Sequence, residues 1–324
     1  MNWRPLLKAL PLLPAVLVLS ANICAQTYPV KTVRIVVPFP AGAGADTTTR
    51  LFTPKLTEAL AQQFIVDNRA GAAGNIGAEA AARAAPDGYT LLVAPASLAS
   101  SRSLYKNLGF DLARDFEPAA MLATAPFVLA VHPSVPVKSV RDFIAFAKSR
   151  PGQLNFASTG IGGTNHLAAE LFKHMAGINI VHVPYKGTAT AVPDLIGGQV
   201  SMMFTATLSS LPHVKAGRLR ALAITGAKRS LAAPELPTVS ESGLVGYEAS
   251  TWFALLAPAG TPREIVVRLN ATIVTIGQTP EIRDRLVAQG AEPLGGTPEQ
   301  LGAFIRSEIE KWGKVVAVSG ARAE

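Results

Sequence analysis

Pro38-Phe39-Pro40-Ala41-Gly42-Ala43-Gly44-Ala45-Asp46-Thr47 lies between an apolar run, Val33–Val37, and a helix-like run over 51–64. A strand that ends in a glycine loop and opens a helix leaves several backbone N–H groups unpaired at the positive end of that helix. Such a turn is a ready site for an anion, carboxylate or phosphate. A second loop of the same kind, Ser158-Thr159-Gly160-Ile161-Gly162-Gly163-Thr164-Asn165, follows the apolar residues 154–157 and leads into a helical pattern over 166–175.

Outward from these loops the chain alternates strand and helix. Residues 64–67 read as a strand, an alanine-rich helix runs to Ala85, Pro86-Asp87-Gly88 turns the chain, and 89–94 form a further buried strand ending near Ser97. A second β-α-β-α-β unit begins near residue 127. It includes a strand over 180–183 ending at Pro184-Tyr185-Lys186-Gly187-Thr188, and one over 200–204 ending at Thr205. This order predicts parallel sheets with ligands at the carboxyl ends of their strands. Thr53-Pro54 lies within the helix after the first loop, so that helix is expected either to kink or to start late. Thr297-Pro298-Glu299 opens the last helix, with Leu301, Phe304, Ile305, Ile309 and Trp312 on one face.

The first residues read as a secretory signal peptide. Arg4 and Lys8 form a basic start, 9–19 are apolar, and small residues end at Ala25, the expected cleavage point. Lipoprotein cleavage at Cys24 is the alternative, disfavoured by the bulky Ile23 before it. A membrane anchor fits poorly, because the run is short and carries Pro11 and Pro14. Removing 25 of 324 residues leaves 299 and lowers the net charge from +8 to +6, because Arg4 and Lys8 leave. Cys24, the one cysteine, leaves too, so no disulfide is available. The positive charge is scattered without aromatic interleaving, which argues against nucleic acid and suits a small anion.

Neither loop is a dinucleotide or phosphate-loop fingerprint. Gly71, Gly74 and Gly77 are spaced by three and fit close helix packing, and no Gly-Lys-Ser/Thr follows either loop. His166 and His174 lie about 80° apart around a helix and make no metal face, so no metal or cofactor is expected. Ser158 or Thr159 with His166 would be a nucleophile and base. No sharp elbow or orienting acid accompanies them, so no catalysis is expected.

At these residues the chain resembles a known family, the extracytoplasmic solute receptors of the tripartite tricarboxylate transporter type, or Bug family. The resemblance rests on residues 35–50, on 66–92 with Asn68-Arg69 and Pro86-Asp87-Gly88-Tyr89, on 154–204 with Val181-His182-Val183-Pro184-Tyr185-Lys186-Gly187, and on 252–262. It covers nearly the whole chain beyond the leader. It implies an α/β type 2 periplasmic binding protein, with two α/β domains joined by two crossings and a ligand cleft between them. The domains are expected at 26–125 with 222–324, and at 126–221.

The resemblance further implies a non-catalytic periplasmic receptor, expected to be a monomer, that delivers a small carboxylate to integral-membrane transporter subunits. Presentation of the closed form to a sensor kinase is the alternative. The carboxylate would be held by the N–H groups of residues 40–46 and 158–164, with Asp46 and Thr164 where each loop enters its helix. The expected ligand contacts are Phe39, Pro40, Ala41, Gly42, Ala43, Gly44, Ala45 and Asp46 in the first loop and Ser97 after the 89–94 strand. In the second half they are Ser158, Thr159, Gly160, Gly163, Thr164, His166, Tyr185, Lys186, Gly187 and Thr205. Three positions depart from the family pattern. Ala43 separates two glycines and is expected to restrict φ there, Ala70 stands in place of a proline, and Thr205 stands where many members carry an acid.

Overall fold

The computed structural model describes residues 28–323, so the leader and Cys24 lie outside the described residues. The chain runs β1 (Val33–Val37), α1 (Gly44–Leu60), β2 (Phe64–Asn68), a short 3-10 turn (Ala72–Gly74), α2 (Asn75–Ala82), β3 (Thr90–Pro95), α3 (Leu98–Leu104) and β4 (Phe116–Val131). It continues with α4 (Val140–Lys148), β5 (Asn155–Ser158), α5 (Thr164–Ala176), β6 (Val181–Pro184), α6 (Thr188–Ile196), β7 (Met202–Ala206), α7 (Thr207–Lys215) and β8 (Arg220–Ile224). It closes with β9 (Ser250–Pro258), α8 (Arg263–Gly277), α9 (Pro280–Ala288) and α10 (Pro298–Ser319). Among the described residues no helix is long and apolar enough to cross a membrane.

The strand order is β2-β1-β3-β9-β4-β7-β5-β6, with β8 also on β4. β1 pairs in parallel with β2 and β3, and β5 in parallel with β6 and β7, as the β-α-β-α-β reading predicts. β4 joins the two halves. Its first residues, 116–126, pair with β9, and 127–131 pair with β7 and β8. The sequence pattern marked only 127–131 as a strand, because Pro118 and Pro126 interrupt the rest. Both prolines are tolerated where the register shifts or the partner changes. Thr225, just after β8, bonds the backbone of Phe127 through its N–H and Oγ1, and its carbonyl accepts from Ala249 just before β9.

One hydrophobic core runs through both halves, from Leu92 and Ala94 to Phe143, Phe156, Phe172 and Trp312. On the opposite face the core is split, one part under α1, α8 and α9 and the other around α6, β7 and β8. α1 continues straight through Pro54, which is exposed, while Phe52, Thr53 and Leu56 beside it are buried. Burial of that stripe carries the helix past the lost hydrogen bond. α10 opens at Thr297-Pro298 as read from the sequence, and a capping box closes its start, Thr297 and Gln300 each bonding the other's backbone N–H. The helices α3 and α7 had no sequence signal strong enough to mark them. α3 is a short Ser/Ala-rich segment, and α7 carries Pro212 within nine residues.

Candidate ligand site

The two glycine loops are the same turn. Gly42 takes φ +85° and Gly162 φ +76°, the left-handed region where a Cβ is costly. The next residue is extended in both, Ala43 at −69°/160° and Gly163 at −63°/154°, and serves as N-cap of α1 and α5 respectively. Ala43 therefore needs no positive φ, and the expected restriction there has no consequence. In each loop the side chain four residues after the left-handed glycine reaches back to its N–H. Asp46 Oδ2 accepts from Gly42 N at 2.8 Å, and His166 Nδ1 accepts from Gly162 N at 3.1 Å.

That geometry changes the role of both side chains. The Asp46 carboxylate, 2% exposed, also receives Arg50 Nε at 2.9 and 3.0 Å and Asn68 Nδ2 at 2.9 Å. Burial pushes this carboxyl up, but Arg50, the Gly42 N–H and Asn68 outweigh burial and hold it below its ordinary range. The same Asn68 amide donates to the Phe39 carbonyl at 3.0 Å, tying the start of the loop. Asp46 is consumed in shaping the loop rather than offered to a ligand. His166, 3% exposed, stacks on His182 with ring centroids 4.0 Å apart. Burial, and after it His182 and Lys173, push the imidazole down to about 3, so it is neutral and its Nδ1 is a true acceptor. It braces the loop from beneath.

What the loops leave free is backbone. The first three N–H groups of a helix have no partner within it, and neither α1 nor α5 has a side-chain cap. The donors are those of Gly44, Ala45 and Asp46 in one loop and of Thr164, Asn165 and His166 in the other. A Cβ on Gly44 would sit 3.1 Å from Phe253 Cζ, and one on Gly163 would sit 3.3 Å from the Gly160 carbonyl. Asn165 was missed as a shaping residue. Its Oδ1 accepts from Thr159 N and Oγ1, and its Nδ2 donates to the Phe204 carbonyl at 3.3 Å, so loop 2 is pinned to β7. Gly77 holds α2 against loop 1, because a Cβ there would lie 2.9 Å from Pro38 Cα.

Other candidates fall into two groups. Ser97 lies just beyond β3 at the N-cap of α3, Thr205 lies near the end of β7, and both hydroxyls are buried without a hydrogen-bond partner. Orphaned buried hydroxyls are uncommon and ask for a partner. The others are engaged by neighbours or stand on the surface. Ser158 is fully buried, its Oγ bonded to His182 Nε2 at 2.6 Å and to Gly160. Its partner is therefore His182, not His166 as the hydrolase reading required. Burial and then Lys173 push His182 down to about 4. Tyr185 gives its hydroxyl to Asp194 at 2.7 Å, and burial followed by that bond pushes the phenol up to about 12. Lys186 is exposed, and Gly187 precedes α6 at φ +145° with open space around it. Pro40 and Ala41 are exposed on the loop tip. Among the described residues no group of three or more His, Cys, Asp or Glu is placed to hold a metal ion.

Each loop thus presents uncapped backbone N–H groups at a helix start. The profile of the family described as "Tripartite tricarboxylate transporter family receptor" matches residues 48–320. The chain belongs to that family. Protein BugT of Bordetella pertussis is 39% identical over 324 residues, covering 99% of each chain. The structure of R. palustris Rpa4515 with adipate is 40% identical, with a TM-score of 0.77, covering 91% of this chain and 99% of that one. That of periplasmic binding protein BugD is 33% identical, TM-score 0.74, with 91% and 99% covered. This receptor therefore has the mixed α/β periplasmic binding protein fold, as its sequence resemblance implied, and it is a solute-binding protein rather than an enzyme. The family's receptors serve membrane transporters.

Proposed function

We propose that this receptor captures a small carboxylate in the periplasm, between a lobe of residues 26–125 and 222–324 and a lobe of 126–221, and delivers it to integral-membrane transporter subunits. The observation that carries this reading is the equivalence of the two turns, each aiming three unpaired N–H groups from a helix start. Charge-assisted bonds to such donors contribute about 1.5–3 kcal/mol each, and two such cradles suit the two ends of a dicarboxylate. Adipate in the relative Rpa4515 supports that ligand class. Ser97 and Thr205 are the hydroxyls available to the rest of the ligand. Thr205 places no negative charge there, which favours an acid without an amino group. The protein acts as a monomer after removal of residues 1–25.

Titration calorimetry with adipate and a panel of small mono-, di- and tricarboxylates tests this. At least one is expected to bind one-to-one, and Gly44→Leu and Gly163→Leu are each expected to abolish that binding while leaving the circular-dichroism spectrum intact. Unchanged affinity in both variants would remove the two-loop cradle.

A further inference from the structure

A cavity of about 540 Å³ lies away from the glycine loops, between α10, β4 and the start of β9. Trp252 lines it, whereas Phe253 approaches Gly44 of the first loop. Successive strand residues face opposite sides of a sheet, so the cavity and loop 1 lie on opposite faces of β9. Its walls come from Thr124 and Pro126 of β4, Gly226 and Lys228 just after β8, and Glu248 and Ser250 where β9 begins. A volume of this size is typical of small-molecule sites.

The floor is built rather than incidental. Glu308, 4% exposed, accepts from the indole N–H groups of both Trp252 and Trp312 at 2.9 Å, and pairs with Lys311 through its other oxygen. Phe304 packs edge-on against Trp252 with centroids 5.6 Å apart, and Met121 and Leu301 complete an apolar wall. Three carboxylates, Glu248, Glu292 and Glu308, face two ammonium groups, Lys228 and Lys311. Glu308 and Lys311 neutralise each other. Glu292 accepts only the Leu231 N–H, at 2.7 Å, and neither it, Glu248 nor Lys228 has an ion-pair partner among the described residues. The lining is left with one net negative charge beside an aromatic wall, the complement of an organic cation.

We propose that this cavity is a second ligand site, for a small ammonium compound with an apolar body. It stands independently of the carboxylate reading, because its residues and the sign of its charge differ from those of the loops.

The probe is phenethylammonium, compared with its neutral analogue 2-phenylethanol, on the full mature chain. Binding is read by calorimetry and by tryptophan emission, since Trp252 lines the cavity and Trp312 shares the Glu308 carboxylate with it. Saturable one-site binding of the cation is expected below about 10 mM, at least about tenfold tighter than the alcohol. Ser250→Trp, which fills the cavity, is expected to abolish it, and Glu248→Gln, at an exposed position that tolerates substitution, to weaken it severalfold. No saturation with the wild type, equal binding of the alcohol, or full binding in both variants would overturn the proposal. Should Ser250→Trp fail to fold, undiminished binding in Glu248→Gln alone would do so.

Discussion

At the scale of single residues, Asp46 and His166 hold equivalent places with different chemistry. Each accepts the N–H of a left-handed glycine four residues earlier, one as a carboxylate and one as a neutral imidazole. Asp46→Ala would leave Gly42 N–H, Arg50 and Asn68 without their shared acceptor. It is expected to cost about 2–3 kcal/mol in urea denaturation and to weaken ligand binding at least tenfold, because the loop loses its shape. Affinity equal to wild type would show that the cradle forms without this brace. Gly42→Ala isolates the backbone contribution. Nothing lies within 4 Å of a Cβ there, so its expected cost of about 1–2 kcal/mol comes from φ +85° alone. An undiminished melting temperature would contradict it.

At the scale of elements, two features separate local preference from packing. Pro54 is exposed within α1 and leaves the Arg50 carbonyl without its helical donor. Pro54→Ala restores that donor, and a gain of about 1–3 kcal/mol is expected in urea midpoints. A loss would mean that proline's restriction of the unfolded chain outweighs the bond. The second feature is the stack of Phe156, His182 and His166 beneath loop 2, faced by Glu170 and Lys173. Both imidazoles have folded values lowered from 6.5, to about 3 and about 4. Below pH 6.5 the unfolded chain takes up protons that the folded rings refuse. Stability is therefore full above pH 6.5 and declines as pH falls toward 4, by up to about 1.4 kcal/mol per pH unit for each ring. His182→Gln is expected to flatten this slope in thermal melts between pH 4 and 7. An unchanged slope would place the titration elsewhere.

At the scale of the whole molecule, β4 pairs with strands of both halves, and one continuous core spans them. On the other face the core is divided. A ligand held by both loops would bind the folded chain alone. At a hundred times its dissociation constant it would add about 2.7 kcal/mol, or roughly 4–5 °C in melting temperature for a chain of this length. A carboxylate that binds in calorimetry without raising the melting temperature would contradict a site made by tertiary structure.

The β-α-β-α-β order and both glycine loops were legible in the sequence, because buried parallel strands are apolar runs and left-handed turns demand glycine. The resemblance of 35–50 and 154–204 to one receptor family was legible from the motifs that those segments carry. The roles of individual side chains were not. Asp46, His166, Ser158 and Tyr185 sit at loop positions that suggest ligand contact, yet each is taken by a partner that only the fold brings near, namely Asn68, His182 or Asp194. Ser97 and Thr205 were named from their places near strand ends, and the fold adds that burial leaves their hydroxyls without a partner. Periodicity and backbone preference are local properties and can be read along the chain. Whether a polar group is free or satisfied depends on neighbours distant in sequence, and only the tertiary structure decides it.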